Sequence, residues 1–265
     1  MLNDVILVPG DPSMHIRRAV FLAMLAVLAF TSYPSRASVS LADLERELVD
    51  WESSSEGYER SWNLARVLID LGNRYEDKQD KEATYLLAVE HARRAVAASP
   101  GDTWGHHYLA AAVGSLALTE GGKRKIELSR EVRQEALLAV ECDPDNDKSH
   151  HILGRWNREV THLGPLLKAA AKVVYGGIPE GASDEKALEH FREAIRIAPD
   201  DVNHHLQLGI TWMKMKRYDE ALLEFEITQY LPEADPNDAA HKAEAVRLIL
   251  KCEKKSDRKK DRRRH

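Results

Sequence analysis

Apolar residues recur three and four positions apart through most of this chain, and no stretch alternates apolar with polar residues long enough to suggest a strand. The pattern predicts helices, punctuated by small residues at fixed offsets from proline. Before Pro100 stand Ala88, Ala92 and Ala95; before Pro199, at the same offsets, stand Ala187, Phe191 and Ala194; before Pro232, one residue closer, stand Ala221, Phe225 and Thr228. Downstream of Pro100, Pro144 and Pro199, the triplets Tyr108-Leu109-Ala110, Ile152-Leu153-Gly154 and Gln207-Leu208-Gly209 fall in register. A small side chain at a helix crossing lets two backbones approach, and a large neighbour fills the space beside it. The chain is therefore expected to be a succession of antiparallel helix pairs, each closed by a proline.

Several segments depart from a strict repeat. Ser40 to Trp51 predicts a first helix, with Ser40 and Asp43 as a capping pair and Leu41, Leu44, Leu48 and Trp51 on one face. Ser53 to Gly57 breaks it, and the first full pair begins at Tyr58. The proline-to-proline intervals are 44, 55 and 33 residues, so two pairs carry extra sequence. In one of them Gly121-Gly122 separates two lengthened helices. In the other, an apolar stretch from Leu163 to Tyr175, closed by Gly176-Gly177-Ile178-Pro179, predicts an additional helix beginning at Pro165. Two readings of this 163–180 insertion stay open: a helix that plugs the array locally, or a hairpin that touches a partner or a membrane. Asp235-Pro236-Asn237-Asp238 then starts a helix carrying Ala239, Ala243, Val246, Ile249 and Leu250, as a terminal capping helix would.

Composition sharpens the ends. The 265 residues are 43% hydrophobic, 31% charged and 6% aromatic, with a net charge of −5. From Lys251 onward nine Lys/Arg face three Asp/Glu, which predicts a solvated, disordered basic tail over 251–265 or a weak, salt-sensitive contact with anionic surfaces. At the other end Arg17-Arg18 precede an apolar run, Ala19 to Phe30, and Ser35-Arg36-Ala37 places small residues at signal-peptidase positions. The expectation is a signal peptide over 1–37, with Met14 as an alternative start, and hence an exported protein of the periplasm or cell envelope; the alternative is an anchor formed by that apolar segment. Residues 38–57 make an N-terminal helix and linker, and 58–250 one solenoid. Cys142 and Cys252 show no metal spacing and read as two free thiols.

A repeat of about 34 residues with Leu-Gly in its first helix, small-large-small in its second and a closing proline resembles the tetratricopeptide unit. Val202 to Pro232 is the best copy, with Leu208, Gly209, Trp212, Ala221 and Phe225 at the pattern's positions. The order of parts from Trp62 to Leu250 is similar to the regulator of microtubule dynamics family. The matching stretches are the Ala-x-x-x-Ala-x-x-Ala helix before Pro100, Ser149 to Trp156, the apolar insertion, and Ala187 to Ala194. The resemblance implies an all-α, right-handed helical solenoid with an inserted apolar helix and a C-terminal cap, and association with microtubules.

In such an array the first helices of successive pairs line a concave face. Carried over from the tetratricopeptide pattern, the partner-binding positions are Trp104 and His107, then Lys148, His151, Arg155 and Arg158, then Leu206, Met213 and Lys214, with Ala111, Asn203 and Ile210 beside them. Their charge predicts capture of an acidic or carboxylate-terminated protein or peptide by a non-catalytic scaffold, with no specific nucleic acid. The paired histidines His106-His107, His150-His151 and His204-His205 suggest an alternative of another class, a metal-dependent hydrolase. Adjacent helical residues point about 100° apart and cannot chelate one ion from one helix, so these histidines read as packing residues and no metal or cofactor is expected. No phosphate-binding loop or nucleophile elbow is present.

Overall fold

A computed structural model describes residues 39–175 and 181–264, in which every regular element is a helix. These residues fall into two compact units, one from Val39 to Pro199 and one beginning at Asp200. The first holds α1 (Leu41–Glu52), α2 (Tyr58–Arg74), α3 (Lys78–Ala98), α4 (Thr103–Thr119), α5 (Gly122–Cys142), α6 (Asp147–Thr161), α7 (Pro165–Tyr175) and α8 (Asp184–Ile197). The second holds α9 (Val202–Lys214), α10 (Tyr218–Tyr230) and α11 (Asp238–Arg264).

The proline rhythm has a direct structural cause. A residue preceding proline is pushed out of the α region, and Ser99, Asp143 and Ala198 accordingly leave the helix while their N–H groups still donate to the carbonyls of Ala95, Ala139 and Ala194. Two residues beyond the proline a side chain caps the next helix. Asp102 accepts from the Trp104 N–H and Asn146 from the Ser149 N–H; Asp201 accepts from the His204 N–H inside the second unit. The sequence thus encodes each junction as stop, turn and start within a few residues. At α1 the expected capping box forms, Ser40 Oγ accepting from the Asp43 N–H at 3.2 Å and Asp43 Oδ2 from the Ser40 N–H at 3.1 Å.

Packing in the first unit follows the pairs: α2 on α3, α4 on α5, α6 on α8, with first helix on first helix from α2 through α4 to α6. Leu68, Leu71, Leu109, Val113, Leu116, Val132 and Trp156 belong to one continuous apolar core. Where two backbones must approach, the crossing is made by glycine. A Cβ on Gly154 would come within 2.9 Å of three atoms of the fully buried Phe191 ring, and a Cβ on Gly105 within 3.1 Å of the Val96 backbone nitrogen. In the second pair Ala110 and Ala136 take the same crossing, packed with Leu153. Within the second unit Gly209 faces the buried Phe225 ring at 2.6 Å from an added Cβ.

The insertion is a helix from Pro165 that packs on α5. Ala171 is fully buried there, while Leu166 and Val173 are 78% and 77% exposed. Residues 176–180 lie outside the described ones. In the second unit α11 packs against both α10 and α9 as the expected cap. It does not stop at Leu250: where the sequence suggests a disordered tail, the helix continues to Arg264. Its later residues are mostly Lys, Arg and Glu, straight-chain side chains that lose little freedom in a helix, and no glycine or proline interrupts them.

Candidate functional site

The first helices of the first unit carry an aromatic patch. On α2, Trp62, Arg66 and Asp70 stand one turn apart on one face; on α4, Trp104 and Tyr108 do the same. The rings of Trp62, Trp104 and Tyr108 lie 5.5 to 5.9 Å apart between centroids, with planes within 26° of one another. All three are only half-buried. The position of Trp104 is fixed by its cap, because Asp102 binds its N–H and also accepts from the Tyr58 hydroxyl at the start of α2. Burial, seconded by Asp102, raises the Tyr58 pKa.

Charged groups border this patch. Arg66 pairs with Glu47 of α1 and lies 3.8 Å from Asp70. The Tyr108 phenol is pushed up to about 12, first by burial and then by Asp70 and Glu47, with Arg66 opposing. The phenol is therefore held in its neutral form.

The six partner-binding positions expected in this unit divide into two groups. Trp104 is half-buried, and Lys148 and Arg155 are exposed. Arg155 shows two features that pull apart: its surface is open to water, yet the surrounding protein disfavours its charge and lowers its pKa, with Glu159 opposing. His107, His151 and Arg158 are buried. His107 Nδ1 lies 3.0 Å from Ser149 Oγ, joining α4 to α6, and burial, with Lys148 beside it, lowers its pKa to about 3. His151 stands edge-on to Phe191 at 5.6 Å. Arg158 lies over the same ring at 5.7 Å and donates from Nε to Glu159. His151 and Arg158 thus support the packing of the α6/α8 pair, and His107 the contact of α4 with α6. In the second unit Leu206 is fully buried, and Met213 and Lys214 are half-buried.

The other members of the histidine pairs form a repeated junction. His106 Nε2 lies 3.0 Å from the Pro100 carbonyl oxygen and its Nδ1 2.6 Å from Glu135. His150 repeats this with the Pro144 carbonyl at 3.0 Å and His190 Nδ1 at 3.2 Å. In the second unit His205 Nδ1 lies 2.8 Å from Glu224. Each imidazole thus ties the first helix of a pair to the second, and in two cases also to the preceding proline turn. Both ring nitrogens of His106 and His150 are engaged by protein atoms, which accounts for these residues without metal chemistry.

Trp62, Arg66, Asp70 and Tyr108 were missing from the sequence-based site. Their signal was the i, i+4 spacing of Trp104 with Tyr108 and of Trp62 with Arg66. The longer first pair hid its register with the rest.

Comparison with known proteins adds the family. A family model described as regulator of microtubule dynamics protein 1-3 matches residues 38–253. Regulator of microtubule dynamics protein 3 of Mus musculus is 26% identical over 188 residues, 71% of this chain and 40% of that protein. Regulator of microtubule dynamics protein 1 of Bos taurus is 27% identical over 208 residues, 77% of this chain and 64% of that protein. The chain therefore matches about two fifths of the length of the mouse relative. Among solved structures, a thermophilic TPR protein of Thermus thermophilus aligns with a TM-score of 0.53 at 18% identity, over 87% of this chain and 98% of its own, which shows the tetratricopeptide fold.

These findings correct the expected location. Relatives from mouse and cattle overturn the exported, periplasmic or envelope placement, together with the signal-peptide reading. Two arginines, a short apolar run and a small-x-small triplet form a pattern with too little information to specify a compartment, and that segment lies outside the described residues. Among the described residues no helix is long and apolar enough to cross a membrane. With the all-helical paired architecture and a family model covering most of its length, the chain belongs to the regulator of microtubule dynamics protein 1-3 family.

Proposed function

We propose that the first-helix face of the Val39–Pro199 unit is a protein-binding surface and that the chain acts as a non-catalytic scaffold. The tetratricopeptide fold and the family fit a protein-binding role. The observation that carries the reading is the half-buried patch of Trp62, Trp104 and Tyr108. Three near-parallel rings left partly open to water offer large apolar area at little cost in side-chain freedom, as binding hot spots do.

The partner's chemistry follows from the cations that the next first helix exposes. Arg155 and Lys148 supply exposed cations on α6, suited to an acidic segment or a terminal carboxylate, with Arg155 offering the forked donor. Met213 and Lys214 supply a similar apolar and cationic pairing in the second unit. The relatives are named for regulating microtubule dynamics, and that role comes to this chain as the process such a bound protein would serve.

A photo-crosslinking residue at position 104 in the native cell, followed by titration of the captured segment as a purified peptide, tests this. Trp104→Ala and the pair Lys148→Glu with Arg155→Glu should each weaken binding at least tenfold with helical content unchanged. Arg158→Glu is a poor probe, because its buried guanidinium packs on Phe191 and its reversal should unfold the pair. Equal affinity for wild type and both surface variants would overturn the proposal.

A further inference from the structure

The capping helix α11 has a second apolar face. Ala245 and Cys252 are buried, and the helix packs on α10 and α9. At about 100° per residue, Ala239, Ala243, Val246 and Leu250 fall on a different side and share one stripe. All four are exposed, Val246 by 47% and Leu250 by 64%. Their spacing of four, three and four residues is that of a helix-pairing seam, running roughly 17 Å along the axis. A helix that only shielded the end of the array would present polar residues here.

Charge selects the occupant. Along one border of the stripe stand Arg247, Lys251 and Lys254, all exposed. The other border carries Glu253 and Lys242, the latter 3.7 Å from Glu233. The whole segment from Lys251 to the C-terminus, Lys251, Glu253 and Lys254 included, holds nine Lys/Arg against three Asp/Glu. A second copy would bring two such cationic borders and tails together, which disfavours self-pairing.

We propose that the outer face of α11 docks an amphipathic helix of another protein, one with an apolar seam and an acidic edge. The apolar seam sits on Ala239, Ala243, Val246 and Leu250, and the acidic edge pairs with Arg247, Lys251 and Lys254. This is separate from the aromatic patch and stands whether or not that patch binds a peptide. Apolar burial supplies most of the affinity, and the charges set orientation and partner choice.

The full chain is titrated with three synthetic helical peptides of equal length: leucine seam with glutamate edges, the same seam with lysine edges, and glutamate edges with a serine seam. The first should bind at least tenfold more tightly than either of the others. Leu250→Asp with Val246→Asp should remove that binding while the melting temperature stays within a degree or two, since both side chains are exposed. Arg247→Glu with Lys251→Glu and Lys254→Glu should reverse the preference toward the lysine-edged peptide. Four outcomes overturn the proposal: equal binding of the first two peptides, equal binding of the first and third, no binding of the first, or sedimentation as a dimer that the Leu250→Asp chain loses. Stronger capture by polyanionic nucleic acid than by the first peptide, unaffected by the seam variant, likewise counts against it.

Discussion

The pairs α6/α8 and α9/α10 solve one packing problem with very different lengths of chain. In the first, Gly154 meets Phe191 across 37 positions of sequence; in the second, Gly209 meets Phe225 across 16. Both rings are fully buried and both glycines lie where a Cβ would collide with them. The crossing is therefore set by glycine against phenylalanine, and the intervening chain need only return to it. The inserted residues form α7, which packs on α5 and leaves the crossing intact. Loop closure grows only logarithmically in cost with length, so such an insertion is cheap once the contact is strong.

The largest test of this equivalence removes the rings. Phe191→Ala and Phe225→Ala should each cost about 3–5 kcal/mol, because each empties a fully buried site of a large side chain. Denaturant unfolding measures the loss, and hydrogen exchange should report it in α6 and α8 for the first variant and in α9 and α10 for the second. A cost for Phe191→Ala of less than about 1 kcal/mol would mean that the insertion, and not the ring, holds its pair together.

A smaller perturbation adds one methyl. Gly154→Ala and Gly209→Ala should each destabilise by about 1–2 kcal/mol, overpacking outweighing the better helix propensity of alanine. Phe191→Leu should relieve Gly154→Ala, giving a coupling energy of about 1 kcal/mol in a double-mutant cycle. Gly101→Ala serves as control, since nothing lies within 4 Å of its added Cβ. Additive effects at Gly154 and Phe191 would contradict the direct contact.

The two pairs differ at the histidine junction. His150 meets His190, whereas His205 meets Glu224. Of two facing imidazoles one must offer a lone pair, so a second proton breaks the bond. Burial, with His150 beside it, lowers the His190 pKa to about 4. The native state therefore favours the neutral ring, so its stability is full above the unfolded value near 6.5 and is lost as pH falls from there toward 4. Between pH 6.5 and 5.5 the loss should be about 1 kcal/mol. His190→Glu, which copies the other junctions, should flatten the stability profile across that window. A profile as steep as wild type would assign the acid sensitivity elsewhere, with His107 the next group to test by His107→Gln.

The repeat was legible because its determinants are local. The pre-proline stop, the Asp or Asn cap and the Leu-Gly pair each occupy one or a few positions, and together they located the junctions and the Gly–Phe crossings. The site was less legible because facing depends on fractions of a turn. His107, His151 and Arg158 lie on first helices as expected, but each is buried rather than open along the face. Trp62 escaped assignment because α2 and α3 together exceed the ordinary repeat, so its register with Trp104 became visible only when the rings were seen stacked. Residues 251–264 show the limit of composition: charge density alone does not separate a solvated coil from a solvated helix.

The shorter pair also carries a cost that the longer one does not. To turn directly from α9 into α10 the chain places Lys216 at φ 62°, the one positive φ outside glycine among the described residues. The turn is closed by two N–H groups, Lys216 donating to Met213 and Arg217 to Trp212, and Arg217 stacks over Trp212 at 4.4 Å. A helix ended in this way ordinarily uses glycine at that residue, since a Cβ in the left-handed region costs about 1 kcal/mol or more. Lys216→Gly should therefore stabilise the chain, by about 0.5 kcal/mol after the added freedom of the unfolded glycine is set against the relieved strain. Lys216→Ala keeps the Cβ and should give no gain. If alanine stabilised as much as glycine, the lysine side chain and not its backbone would be the source of strain, and the tight turn would cost nothing relative to the inserted one.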